Sequence, residues 1–143
     1  MEDRYLFKAK TAQIVGTYNN GIEDGVWVHG SLRCDVGKYT IFQFETERAD
    51  YVEYEIDPST ICQCTGLKDK NGKLIWENDI CDRKEEYPEI VKYNNGDWTL
   101  DYSYSKGKES GYCCCNLGFY ALERKCVEVI GNIFDDKELE KGE

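Results

Sequence analysis

The chain has 143 residues, of which 18 are basic and 28 acidic, so its net charge at pH 7 is −10. A chain of this length is most simply one domain, and its 41% of hydrophobic residues can form a core and exclude general disorder. The negative charge opposes binding to phosphate backbones, because nucleic-acid affinity rests on Lys and Arg displacing counterions. We therefore expect a globular protein for which nucleic acid is a poor partner.

The beginning of the chain, Met1-Glu2-Asp3-Arg4, lacks the basic segment and following apolar segment of a secretory signal. No run of residues approaches the roughly 18 apolar residues that a membrane span needs. The sequence therefore predicts a cytoplasmic protein that has no contact with a membrane.

Alternation of apolar and polar residues, interrupted by Gly-rich and Asn-rich turns, recurs along the chain. It predicts a mainly β fold of small antiparallel barrel-like sheets joined by tight hairpins, with one or two short helices. The expected strands, in chain order, begin at residue 5 and cover 26–29, 39–44, 51–56, 65–67, 74–76, 79–81, 89–93, 97–104 and 127–134. A short helix is expected at 117–124, and residues 135–140 are either a short capped helix or a frayed tail.

The domain prediction is a single domain, 1–143, that can be subdivided. An N-terminal β subdomain would cover 1–60 and a barrel-like part 61–134, followed by an acidic tail at 135–143. The tail holds five acidic residues against Lys137 and Lys141.

A second acidic segment, residues 45–57, contains Arg48 as its only basic residue. Such a segment is either a solvated face or a contact surface for a basic partner. In the later segment 97–104, aromatic side chains share one face of the expected strand, which suits a core or a subunit interface. The predicted partner surface therefore consists of Glu45, Glu53, Glu55, Trp98, Tyr102 and Tyr104.

Candidate chemical groups are eight cysteines and the single histidine, His29. The spacings Cys62-x-Cys64 and Cys113-Cys114-Cys115 do not match the paired ligands of a structural zinc site. His29 has no accompanying nucleophile or oxyanion motif. We predict small hydrophobic roles for the cysteines, no catalytic residue, no metal site and no cofactor, so the protein is not expected to be an enzyme.

The segment 61–80, Ile-Cys-Gln-Cys-Thr-Gly-Leu-Lys-Asp-Lys-Asn-Gly-Lys-Leu-Ile-Trp-Glu-Asn-Asp-Ile, closely resembles the signature of the YopX family. That signature runs roughly G-Q-[YF]-T-G-L-K-D-K-N-G-K-x-I-[YF]-E-G-D-I. Residues 3–8, 25–30 and 129–134 also resemble the start, second strand and end of that family. Departures are Cys62 and Asn78 at glycine positions, Cys64 at an aromatic position, and a longer segment at 11–18.

The resemblance implies a phage or prophage-encoded protein with a mainly β, small-barrel-like fold and no established enzymatic activity. Its motif residues suit a turn module that fixes a hairpin and the exit from it. We interpret them as structural: Thr65, Gly66, Leu67, Asp69, Asn71, Gly72, Ile75, Trp76, Asp79 and Ile80.

The expected function is non-catalytic contact with an unknown host or phage protein, or with further copies of the chain in a homo-oligomer. One alternative is an acidic inhibitor that occupies a nucleic-acid-binding site of a host protein. Another is a small-barrel nucleic-acid-binding module, whose basic patch would begin with Lys68, Lys70 and Lys73.

Overall fold

The structure, a computed structural model, describes residues 5–45, 49–84, 87–101 and 114–141. These residues form the strands β1 (Phe7–Lys10), β2 (Trp27–Asp35), β3 (Lys38–Glu45), β4 (Asp50–Glu55), β5 (Cys62–Lys68), β6 (Leu74–Trp76), β7 (Asp79–Asp82), β8 (Glu89–Asn94), β9 (Asp97–Asp101), β10 (Cys114–Asn116) and β11 (Glu128–Asn132). Short helical turns lie at Pro58–Thr60, Phe119–Glu123 and Lys137–Lys141. Within these ranges, no helix has the length and apolar character required to cross a bilayer.

The strands form two antiparallel sheets, ordered β4-β3-β2-β1-β5-β6 and β10-β9-β8-β7-β11. The predicted mainly β class is confirmed. The barrel-like part of that prediction is wrong for the described residues, because neither sheet closes and each keeps two edge strands. Alternating side-chain faces occur in open sheets and in barrels alike, so the sequence pattern could not distinguish them.

The chain divides into two compact units, Met1–Cys64 and Thr65–Glu143. The boundary between the units therefore falls after Cys64. The sequence pattern placed the corresponding boundary after residue 60. Strand β5 begins in the first unit and ends in the second. Its first residues pair with β1 through the registers Phe7↔Gln63 and Lys8↔Cys62.

The first unit has its core on one face of strands β1 to β4. Alternate residues of β4 and its continuation point inward, as expected from period-two alternation. The buried side chains are Ala9, Val28, Ile41, Val52, Tyr54 and Ile56. The β2–β3 hairpin turns at Val36 and Gly37, which both have positive φ (51° and 78°). Because a β-branched residue rarely takes that conformation, Val36 gives no signal for this turn.

The second unit has its core between the sheet of β7 to β11 and the turn at Phe119–Glu123. Its buried side chains are Ile75, Cys81, Val91, Leu100, Leu117, Ala121 and Val127. Trp98 contacts this cluster and Leu100 belongs to it, so at these two residues the face that was predicted to suit a core or a subunit interface packs on the core. Strand β10, which pairs with β9, was not predicted.

Candidate functional site

The family-motif residues form the β5–β6 hairpin and its exit into β7. Both ends of the hairpin loop are fixed by the buried carboxylate of Asp69. Its Oδ1 accepts the N–H groups of Asn71 and Lys73, both at 2.9 Å, and its Oδ2 accepts the N–H of Val129, also at 2.9 Å. Burial by itself raises the pKa of Asp69, but these N–H donors outweigh it and lower the pKa. Asp69 therefore connects the hairpin to β11, sixty residues further along the chain.

The other motif residues also make internal contacts. The Thr65 hydroxyl donates to the carbonyl of Ile75 at 2.8 Å, and the N–H of Trp76 donates to Asp79 at 2.8 Å. Ile75 and Ile80 are fully buried, and Leu67 packs against the core. Gly72 and Asn78 have positive φ (83° and 71°), which explains why Asn can stand at a glycine position of the motif. The exposed motif residues are Gly66, Asn71 and Gly72.

In the first unit, Glu55 closes the loop between β1 and β2. Its side chain is 1% exposed, and its carboxylate accepts the N–H groups of Val15 at 2.6 Å, Gly16 at 3.1 Å and Thr17 at 3.1 Å. Burial raises the pKa of Glu55, and the three backbone donors together with Lys38 lower it, so the result is a lowered pKa. Glu55 was predicted to face a partner, but its oxygens are used inside the unit.

Replacing Glu55 with Gln should destabilise the first unit by about 2 kcal/mol, because the new amide NH₂ would face backbone N–H donors that then lack an acceptor. Urea unfolding followed by Trp fluorescence would measure the loss. The matched control is Glu53→Gln on the same face of β4, for which we expect a change within about 0.5 kcal/mol. Equal stability of both variants would contradict the role assigned to Glu55.

Along the free edge of β4, one described residue leaves both its N–H and its carbonyl open. The N–H of Ile56 bonds inward to the carbonyl of Tyr39 at 3.0 Å, so by ladder alternation the backbone groups of Tyr51, Glu53 and Glu55 point outward. The amide of Asn19 bonds both backbone groups of Glu55, at 2.9 and 3.0 Å.

At the other end of this edge, the N–H of Tyr51 is bonded by the Asp50 carboxylate at 2.8 Å. Glu53 lies between these two occupied positions. Among the described residues, neither its N–H nor its carbonyl has a partner on the open side. The edge therefore offers one complete set of ladder groups, at Glu53.

Exposed apolar side chains occur on β3, on β4 and on the loop that Glu55 bonds. Phe44 and Tyr51 form an exposed edge-to-face pair with ring centroids 5.2 Å apart. The loop held by Glu55 exposes Ile14, Val15 and Tyr18, the last of which is 74% exposed. We call Ile14, Val15, Tyr18, Phe44, Asp50, Tyr51 and Glu53 the β4 edge surface. Hydrogen bonds made by Asn19 and Glu55 hold the loop against β4, so less entropy is lost when its exposed side chains Ile14, Val15 and Tyr18 bind a partner.

The predicted partner residues do not form one surface. Glu45 lies on the same face of β3 as the buried Ile41, opposite to the face of Glu53. Trp98 is half-buried and packs edge-to-face with Tyr93 at 5.1 Å in the second unit. Tyr102 and Tyr104 lie outside the described residues. Only Glu53 of the predicted set belongs to the β4 edge surface.

A buried charged cluster in the second unit was missed by sequence reasoning. The Arg83 guanidinium bonds Glu89 at 2.6 and 3.3 Å, donates to the sulfur of Cys115 at 3.1 Å, and lies 4.1 Å from the ring centroid of Tyr120. Arg83 and Glu89 are six residues apart, but Cys115 lies 32 residues beyond Arg83, and the members share no motif that identifies them as a group.

Within the described part of the chain, six cysteines are in the thiol form and not in disulfides. Cys62, Cys64 and Cys81 are buried, and burial raises the pKa of Cys81 well above its usual value, which makes a thiolate there unfavourable. Across the same residues, no group of three or more His, Cys, Asp or Glu side chains is placed to hold a metal ion.

Comparison with known proteins gives the family and the fold. The model of the YopX protein family matches residues 21–140. The crystal structure of YopX from Bacillus subtilis has a TM-score of 0.52 and 18% sequence identity, and the alignment covers 95% of this chain and 98% of that chain. No curated protein matches. The resemblance to this family, first seen in the hairpin motif, is thus confirmed over most of the chain, and the protein belongs to the YopX family.

Proposed function

We propose that the protein is a non-catalytic, phage-derived protein that acts in the host cytoplasm by binding another protein at the β4 edge surface. The bound part of the partner is an extended basic segment that adds to β4 opposite Glu53. The observation that supports this proposal is the pair of ladder groups at Glu53, which have no outward partner among the residues that the structure describes and lie between positions closed by Asn19 and Asp50.

In strand addition, main-chain hydrogen bonds supply affinity and contacts to the side chains supply specificity. The N–H and carbonyl of Glu53 would bond one residue of the incoming segment. Exposed apolar residues on both sides, Tyr51 and Tyr18 among them, would cover the segment and exclude water. Because Asn19 already bonds the backbone of Glu55, the added strand is short and its register is fixed.

Charge determines which segment suits this edge. Asp50 and Glu53 are acidic, the whole chain carries −10, and the exposed Phe44–Tyr51 pair offers ring faces to a cation. A second copy of β4 is a poor occupant, because antiparallel self-pairing centred on Glu53 would place Glu53 directly opposite its copy. The segment is therefore basic and belongs to a different protein.

The experiment uses a labelled short peptide of alternating Lys and Val, with fluorescence anisotropy as the readout. We expect saturable binding of this peptide and none of a matched peptide of alternating Glu and Val. Methylating the one backbone nitrogen that would donate to the Glu53 carbonyl should weaken binding by about tenfold, which corresponds to the loss of one well-aligned hydrogen bond.

Two variants distinguish the contribution of the Glu53 backbone to peptide binding from that of its charge. Glu53→Pro removes the outward N–H without touching the β3 ladder, and should weaken peptide binding more than Glu53→Gln, which removes only the charge. Glu123→Gln, an exposed acidic position in the second unit, serves as the control. Full binding by Glu53→Pro, or by the methylated peptide, would refute strand addition.

This proposal includes the case of an inhibitor that occupies the basic site of a host nucleic-acid-binding protein, which is favoured by the exposed Asp50 and the half-buried Glu53. Its distinguishing outcome is competition between the protein and DNA for such a host protein. Direct nucleic-acid binding has little support, because Lys70 in the predicted basic patch pairs with Glu128 at 3.4 Å.

Self-assembly is a second candidate, favoured by the exposed Tyr93 and Ile130 on strands of the second unit. Light scattering over a range of concentrations tests it. A mass that rises with concentration and falls in an Ile130→Lys variant would support a homo-oligomer. A constant monomer mass at high micromolar concentration would remove that candidate.

A further inference from the structure

A polar hollow lies on the face of the β2–β3–β4 sheet opposite the core of the first unit. It has a volume of about 180 Å³ and is lined by Arg33, Asp35, Lys38, Thr40 and Glu53. Thr40 is its centre, since the strand register places Arg33 on one side of Thr40 and Glu55 on the other. A short side chain among long charged ones leaves a depression in the sheet surface.

The hydroxyl at the floor of this hollow is unsatisfied. Thr40 is 2% exposed, and in the described part of the chain its Oγ1 has no hydrogen-bond partner. The carboxylate of neighbouring Glu55 is committed to the N–H groups of Val15, Gly16 and Thr17. A buried hydroxyl without a partner is unfavourable, so a polar group that reached Thr40 would be stabilised there.

The lining of the hollow carries charges of both signs. Arg33 and Lys38 are cationic, and Asp35 and Glu53 are anionic. Arg33 and Asp35 pair at 3.4 Å, but their side chains are 57% and 62% exposed, so this pair is weak and can exchange partners. A simple anion or cation would meet a like charge, whereas a molecule carrying both charges would meet complementary groups.

We propose that this hollow binds a small zwitterion, an amino acid or a very short peptide. The carboxylate lies towards Arg33 and Lys38, the ammonium group lies towards Glu53, and a polar atom of the ligand reaches the Thr40 hydroxyl. The volume equals that of about six water molecules, which suits a ligand of this size. This site differs from the β4 edge surface, with which it shares only Glu53.

Titration of the ¹⁵N-labelled protein with glycylglycine at low ionic strength tests the proposal. We expect saturable shifts of the Thr40 and Arg33 amide signals. Acetate, which carries only the anion, and methylammonium, which carries only the cation, should bind at least tenfold more weakly. Arg33→Gln should weaken glycylglycine binding by about fivefold or more, whereas the control variant Glu123→Gln should bind as the wild type does.

Thr40→Val provides a second test that does not depend on charge. It removes the unsatisfied hydroxyl, so its melting temperature should equal or exceed that of the wild type while its affinity for glycylglycine falls. No saturable shift with glycylglycine, or equal affinity for acetate alone, would overturn the proposal and leave water as the occupant. Unchanged affinity in both Arg33→Gln and Thr40→Val would also overturn it.

Discussion

Replacing Arg83 with Leu is expected to destabilise the second unit by about 3–5 kcal/mol, because the change leaves a buried carboxylate without its counter-charge. The side chains of Arg83 and Glu89 are only 7% and 1% exposed, and two hydrogen bonds join them. The same guanidinium covers the ring of Tyr120 and contacts Cys115, so its removal also leaves a gap between these side chains.

Chemical denaturation, monitored by a probe in the second unit, would measure this loss. The double variant Arg83→Leu with Glu89→Leu should recover most of it, since no unpaired charge then remains buried. The control is Arg33→Leu, which breaks the exposed pair with Asp35 and should change stability by less than about 1 kcal/mol. A similar small effect for Arg83→Leu would show that the buried pair is unimportant for folding.

Local features of the fold were predictable from the sequence. Alternation correctly gave the inward face of β4, where Val52 and Tyr54 are buried, because a strand with one buried face must alternate. The Asn71-Gly72 turn correctly predicted the β5–β6 hairpin, since Gly72 supplies the positive φ that its loop needs. Both signals depend only on residues that are close in sequence, so they can be interpreted without knowledge of the tertiary structure.

The features that define the candidate site depend on distant parts of the chain. Alternation placed Glu55 on the solvated face, and β4 does have that register, but a loop some 40 residues earlier in the chain covers its side chain. The pairing of Arg83 with Glu89 and Cys115 is likewise set by the sheet, not by spacing. Whether an acidic residue is exposed or internally bonded is a tertiary property, which composition cannot give.

Replacing Asp69 with Asn should destabilise the second unit by about 3 kcal/mol at pH 7. The Asp69 carboxylate accepts three backbone N–H groups. In the variant, the amide oxygen can still accept the N–H groups of Asn71 and Lys73, but the amide NH₂ would face the N–H of Val129, which then lacks an acceptor. Asn71→Ala, on the exposed loop, is the control and should cost less than about 1 kcal/mol. Urea unfolding at constant pH would measure both variants.

The pH dependence distinguishes loss of the charge from a general packing defect. The folded-state pKa of Asp69 is lowered below its usual value, so its ionised form adds stability that is present above the unfolded pKa of about 3.9 and is lost as pH falls through the folded pKa. The difference in stability between the wild type and Asp69→Asn should therefore narrow as pH falls below about 4. Because Glu55 also has a lowered pKa, the stability of the Asp69→Asn variant should still fall at acid pH. If the difference in unfolding free energy between the wild type and Asp69→Asn stayed constant down to acid pH, the effect would come from the shape of Asn. The charge of Asp69 would then not stabilise the link to β11.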